Sequence, residues 1–217
     1  MRDRFIRGLQ KDNEMTFGWR QTPLLATILA VVFAVPATAQ TAGGTGAPDE
    51  IAGYPTNAFL PGFPDDIDGL ARSSIQSRPQ EGRIMAIYGT PEDDRNVQVL
   101  LYALDDRGIE GNVARAQTYL EGGEIPVTRE SVTSPDGTEM QCMTSRVGEL
   151  GYTFCVAEIH GRALNVQIGD VVSPDATGLP AELVERARMD AGAIVDSVAN
   201  APEVRTAVQN WSTVAAG

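Results

Sequence analysis

The two cysteines of this chain, Cys142 and Cys155, lie on either side of a Gly148-Glu149 step. That arrangement constrains the fold more than any other stretch. Residues 140–147 and 150–159 read as two strands joined by a tight turn. A two-residue type II′ turn needs its first central residue at positive φ, which glycine adopts without steric cost, and Gly148 supplies it. Val147 then opposes Leu150. Counting outward pairs Arg146 with Gly151, Ser145 with Tyr152, Thr144 with Thr153, Met143 with Phe154 and Cys142 with Cys155. Facing pairs alternate between hydrogen-bonded and non-hydrogen-bonded, so the cysteines fall on a non-hydrogen-bonded pair with Cα atoms roughly 4.5 Å apart, which a disulfide fits. A four-residue loop over 148–151 would offset the sulfurs by two residues and leave their Cβ atoms roughly 7 Å apart, too far for the bond.

The same logic extends to a third strand. If Gly161-Arg162 forms another Gly-X turn, Ile159 faces Leu164, Ala157 faces Val166 and Cys155 faces Ile168, an unbroken apolar set on one side. The other side carries Tyr152, Phe154 and Val156 but also Glu158 and Asn165, so the segment reads as a three-stranded meander with one face in the core and the other partly covered.

Near the start, Leu24 to Val35 is an apolar run followed by Pro36 and Ala37-Thr38-Ala39, an A-x-A cleavage site. Residues 1–39 are therefore expected to be a signal peptide. Counted from Met15 the leader has an ordinary length with Arg20 as its positive charge, which makes Met15 an alternative true start. The competing reading is an uncleaved anchor, but Thr22 to Ala39 is only marginally long enough to span a bilayer and is interrupted by Pro23 and Pro36. No cysteine follows the apolar run to suggest a lipoprotein. Export to the periplasm or beyond fits a cysteine pair, since disulfides persist in oxidising compartments.

Five of the 17 basic and three of the 29 acidic residues precede residue 40, leaving 12 cations, all arginine, against 26 acids, a net charge of −14. Such a surface repels phosphates and anionic head groups, so nucleic acid and, after signal cleavage, a membrane are poor partners. The expected partner is an unidentified protein or small-molecule ligand in the cell envelope.

Residues 40–50 hold too little apolar surface to pack and read as a flexible linker, and 51–217 as a single domain. From Ile51 to Gln80, anchors such as Tyr54, Phe59 and Phe63 alternate with Gly and Pro, which suggests a strap without regular structure. Within it Asp65-Asp66-Ile67-Asp68-Gly69 invites a calcium reading but fails it: the EF-hand positions would fall on Pro64 and Ile75, leaving a turn or solvated acidic loop. Residues 83–88 and 97–104 read as strands, the second nearly all apolar and so central and covered on both faces. Ile109, Val113, Ala116 and Leu120 describe an amphipathic helix after the capping residues Asp105-Asp106 and before Gly122-Gly123. Ile125 to Ser131 reads as a strand, with Ser134-Pro135-Asp136-Gly137 a turn into the cysteine hairpin. Pro180 opens a second helix with Leu183, Val184, Ala187, Ala191, Ile194, Val195 and Val198 on one face, and a third follows Pro202, with Trp211 as an anchor.

No constellation of residues demands a chemistry. Met140, Cys142, Met143 and His160 offer soft ligands for copper(I), but strand alternation points Met143 away from Met140 and Cys142 and puts His160 at a turn, so no metal site is expected. The cysteines lack the close spacing at a helix start that marks a redox pair, and read as a structural disulfide. His160 is the only histidine, which removes His-dependent triads. Gly43-Gly44-Thr45-Gly46 lacks the lysine and helix of a phosphate loop, and no cofactor is expected. Asn210-Trp211-Ser212 matches a glycosylation sequon, which a bacterial-type leader makes a chance match.

The order strand, strand, helix, four strands, helix gives an α+β domain, an antiparallel sheet of about six strands with two or three helices packed on it. That order resembles the PsbP/Mog1-type sandwich, whose small exported bacterial members serve as accessory or binding modules; the likeness is architectural and carries no site residue. The expected function is an exported bacterial accessory or binding protein without evident catalytic activity. The alternative is a periplasmic or extracellular hydrolase of glycan or cell-wall substrates using paired carboxylates.

Overall fold

The computed structural model describes residues 49–89, 94–121, 127–176 and 178–206, all inside the compact unit Thr38–Gly217. The leader, nearly all of the linker, Gly122-Gly123, Ile125, Asn210 and Trp211 lie outside the described residues.

The fold is α+β. Strands β3 (Asp66–Ile67), β4 (Leu70–Arg78), β5 (Arg83–Gly89), β6 (Arg95–Ala103), β7 (Thr128–Thr133), β8 (Glu139–Val147), β9 (Leu150–Ile159) and β10 (Arg162–Val171) form one sheet in the order β3-β4-β5-β6-β10-β9-β8-β7. Every pairing is antiparallel. A small hairpin of β1 (Glu50–Ile51) and β2 (Tyr54–Pro55) leads into a 3-10 segment, Thr56–Gly62. Helix α1 (Gly108–Leu120) follows β6, α2 (Ala181–Ala199) follows β10, and residues 202–206 are helical again.

The sheet has eight strands rather than about six, because the strap from Ile51 to Gln80 contains β3 and the nine-residue β4. Two features hide β4 in the sequence. A register shift between Arg72 and Ser74 breaks the period-two pattern, and a strand with serine, glutamine and arginine side chains carries little apolar signal. The acidic stretch is the β3–β4 turn: Asp68 and Gly69 take positive φ, the Gly69 N–H donates to Asp66 Oδ1 at 2.9 Å, and Asp65 pairs with Arg72.

The cysteine hairpin forms in the register the turn dictates, from Val147 opposite Leu150 out to Cys142 opposite Cys155. Gly148 has φ of 61°, and the cysteines are joined with Cα atoms 4.1 Å apart. The next turn differs from expectation. It is centred on His160 and Gly161, both at positive φ, so Ile159 faces Arg162, Ala157 faces Leu164 and Cys155 faces Val166. Histidine tolerates the left-handed region better than most residues, and here its ring stacks on Tyr54 at 4.5 Å between centroids. A slip of two residues preserves side-chain parity, so Cys155, Ala157, Ile159, Leu164, Val166 and Ile168 still share the core face.

That face packs under α2 and the 3-10 segment, and α1 covers the β8–β9–β10 part of the opposite face through Val113, Ala116 and Leu120. Helix α2 buries Ala187, Ala191, Ile194, Val195 and Val198, whereas Leu183 and Val184 are half-buried. The 3-10 segment meets α2 at Gly62, where a Cβ would lie 2.7 Å from Ser197 O and Val198 Cα. The strap is pinned by Arg162, which has no exposed surface. Its guanidinium donates to Gly82 O at 2.9 Å, Tyr54 O at 2.9 Å and Asp49 O at 3.4 Å and lies over the Phe59 ring. Burial lowers its pKa to about 10.

Candidate functional site

Strands β6 and β10 lie side by side at the centre of the sheet. On the core side their residues are the expected aliphatics, Val97, Val99 and Leu101 against Leu164, Val166 and Ile168. Strict alternation sends Asn96, Gln98, Leu100 and Tyr102 of β6, with Ala163, Asn165, Gln167 and Gly169 of β10, to the α1 side. Gln98 faces Gln167, Asn165 faces Leu100 and Asn96 faces Gly169. Directly opposite side chains start about 5 Å apart. The four carboxamides therefore form a staircase across two strands, roughly 14 Å long at about 3.4 Å per residue.

These amides are buried without being satisfied. Gln98, Gln167 and Asn165 are 5%, 3% and 5% exposed, and Asn96 Oδ1, Gln98 Oε1, Asn165 Oδ1 and Gln167 Oε1 have no hydrogen-bond partner. Most buried polar atoms find a partner, so four orphaned acceptors on adjacent positions need a reason. One flank of the staircase is apolar and closed, with Phe154, Val156 and Met143 under α1. The other flank is β5, where Met85 and Ile87 are half-buried and the Met85 sulfur lies 3.2 Å from Gln98 Nε2.

One end of the staircase is held rigidly. The Tyr102 hydroxyl donates to Asn112 Oδ1 at 2.5 Å and accepts from Asn165 Nδ2 at 2.8 Å, while Asn112 Nδ2 donates to Gly108 O at 3.0 Å. Arg115 donates to Asn112 Oδ1 and to Asp105 Oδ2. Burial, partly offset by the bond from Asn165, raises the Tyr102 pKa to about 12, so the phenol keeps its proton. Burial would raise Asp105, but hydrogen bonds from Arg107 and the charge of Arg115 outweigh it and hold the carboxyl below its ordinary value.

A second polar cluster lies on the core side, at the far end of the same strands. Asp170 of β10 and Asp190 of α2 both meet Arg95: Nη2 donates to Asp190 Oδ2 at 2.5 Å, and Nε lies 3.1 Å from Asp170 Oδ1 without being aligned for a hydrogen bond. Arg186 adds a 3.3 Å pair to the same Asp170 oxygen. Burial is the main influence on Asp170 and raises its pKa in spite of both arginines. Asp170 also borders a shallow hollow lined by Thr153, Val172, Leu179 and Leu183.

The soft-ligand set is dispersed. Met140 and Cys142 lie in the α2-side core, Met143 in the α1-side core, and His160 at its turn, its Nε2 3.2 Å from Ala199 O. Among the described residues no group of three or more His, Cys, Asp or Glu side chains could hold a metal ion. The amide staircase is hidden in the sequence because β6 reads as an apolar run. The available signal was an amide at every second position, Asn96 and Gln98 on one strand and Asn165 and Gln167 on another, each interleaved with valine or isoleucine. The sequence matches no protein-family model and no curated protein.

Proposed function

We propose that this chain is an exported bacterial envelope protein of the accessory or binding type, and that its ligand lies on the amide staircase of β6 and β10. The observation that carries the reading is the set of four unpartnered carboxamide oxygens on neighbouring positions of the sheet centre. A fold gains nothing from orphaned polar atoms where valine or leucine would serve, so their presence points to a task other than stability. Export rests on the apolar run with its A-x-A site and agrees with the disulfide, a bond suited to an oxidising compartment. Among the described residues no helix is long and apolar enough to cross a membrane.

The hydrolase alternative needs two carboxylates free to act as acid and base. Among the described residues the buried aspartates are Asp170, Asp190 and Asp196; the first two are tied to arginines and Asp196 accepts from Ser134 Oγ and the Asp136 N–H, which supports binding over turnover. The test replaces Gln98 and Gln167 by methionine. If the amides serve a ligand, the folded protein becomes more stable; a loss of stability would show that they serve the fold.

A further inference from the structure

Helix α2 is attached to the sheet in two different ways along its length. Its second half is held by apolar packing, with Ala191, Ile194, Val195 and Val198 buried in the core. Polar ties reinforce that half: Ser134 Oγ and the Asp136 N–H donate to Asp196 at 2.5 and 2.9 Å, and Ser197 Oγ donates to Gly62 O at 2.7 Å. In the first half Ala187 is the one apolar side chain that is buried; Leu183 and Val184 are half-buried, and Met189 is 65% exposed. Charge holds this half instead. Asp190 pairs with Arg95 at 2.5 Å, Arg186 with Asp170 at 3.3 Å and Arg188 with Glu130 at 2.8 Å. Among the described residues no side chain caps its N-terminus. We infer that residues 179–190 form a lid, which lifts from the sheet where β9 begins and β10 ends while Ala191–Ala199 stays packed.

The two seams respond differently to water. As the ion pairs part, water solvates Arg95, Asp170 and Asp190 and relieves the desolvation that burying them imposes. Lifting Ile194 and Val195 exposes aliphatic surface with no such relief. The unit that opens therefore ends where the apolar seam begins. Glycines mark both ends of it. Gly192 lies just past Asp190, and glycine is a poor helix former; its missing side chain seats the helix against Pro135, whose Cδ would lie 3.1 Å from a Cβ. At the other end Arg146 donates to Ser173 O and Ala176 O and fixes the incoming loop. Gly178 follows, with open space where a Cβ would stand. Between these points Leu179, Leu183 and Val184 roof the shallow hollow whose floor includes Thr153, Asp170 and Val172. Lifting the roof turns the hollow into an open groove floored by a hydroxyl, a carboxyl and an aliphatic side chain.

Native-state hydrogen exchange of the unsubstituted chain tests the lid. The amides of Glu185 to Asp190 should exchange at least about tenfold faster than those of Ile194 to Ala199, with a step near Gly192. Low urea should leave the first set nearly unchanged, because local opening exposes little surface, and should quicken the second, which exchanges through global unfolding. Ile194→Val, a mild core truncation, should likewise quicken the second set alone. Thiol trapping gives a separate reading. Both native cysteines are joined to each other, so an introduced thiol is the only one to react. Val172→Cys, under the lid, should be labelled by a maleimide faster than Ala163→Cys, which is fully buried on the α1 side. Equal exchange in both halves, with both quickened by Ile194→Val, would show that α2 moves as one body and overturns the inference. A smooth gradient along α2 with no step would be the fraying of a helix end and overturns it too, as does labelling of Val172→Cys no faster than that of Ala163→Cys.

Discussion

Replacing Gln98 and Gln167 by methionine separates a ligand site from a structural network. Methionine keeps the unbranched shape of glutamine and removes the amide. A buried acceptor without a partner costs about 1–3 kcal/mol, whereas an apolar group of the same shape is neutral or better. The low end applies here, because Gln98 also loses its approach to the Met85 sulfur. We expect each single variant to gain about 1 kcal/mol. The two residues face each other, so the double variant is expected to depart from additivity by some tenths of a kcal/mol, with a total near 2 kcal/mol. For a domain of this size that raises Tm by about 4–8 °C. Urea denaturation should show the gain in the midpoint with m unchanged. Asn112→Leu is the control: it removes an amide on the same side whose bonds to Tyr102, Arg115 and Gly108 are all made, and should cost about 1–3 kcal/mol. A loss of 1 kcal/mol or more from Gln167→Met would refute the reasoning, since it would mean that the amide is satisfied in the folded protein and contributes to it.

Three further outcomes follow from the packing. Cys142→Ala with Cys155→Ala should keep the fold and lower stability by about 2 kcal/mol, less than the roughly 3 kcal/mol of the chain-entropy limit because the hairpin already restricts its loop; chemical denaturation with and without reductant reads it. Gly62→Ala should destabilise by about 1–3 kcal/mol, because the added methyl meets the α2 backbone rather than a side chain that can move, and limited proteolysis should then cut the strap sooner. Asp170→Asn should change the pH profile of stability. The folded pKa of Asp170 is raised, so the folded state binds the proton more tightly than the unfolded one, and its contribution falls as pH rises from the ordinary carboxylate value through the raised one. The variant should lack that descending segment, and an identical profile would contradict the burial of Asp170.

Local chemistry fixed what was legible in the fold. Gly148 decides the first turn, and with it every pair out to the cysteines, because a two-residue turn leaves the register no freedom. The second turn lies one residue before the place that a glycine at its first central position dictates. His160 occupies that position and Gly161 the second, and the stacking of His160 on Tyr54, distant in sequence, supports the arrangement. Tertiary contacts of that kind leave no mark on a local pattern. Strand β4 escaped for a related reason: its pairing with β5 supplies the hydrogen bonds, and its irregular register erases the alternation that would have announced it.

The amide staircase shows why a candidate site can be harder to read than the fold that carries it. Hydrophobic periodicity finds strands by what they bury, and on β6 the aliphatic residues Val97, Val99 and Leu101 dominate any average taken over neighbours. The amides between them look like tolerated exceptions as long as each strand is considered alone. Their meaning lies in the pairing of β6 with β10, two strands separated by α1 and three other strands, which brings Gln98 opposite Gln167. The Arg95 cluster is the converse. Acidic and basic residues are conspicuous in the sequence, yet Asp170 and Asp190 close on Arg95 and join β6, β10 and α2, so the charges that suggest catalysis hold the helix to the sheet. Uncharged amides whose carbonyl oxygens lack a partner are what packing alone leaves unexplained, because solvation penalises a buried acceptor and an apolar side chain would avoid the cost.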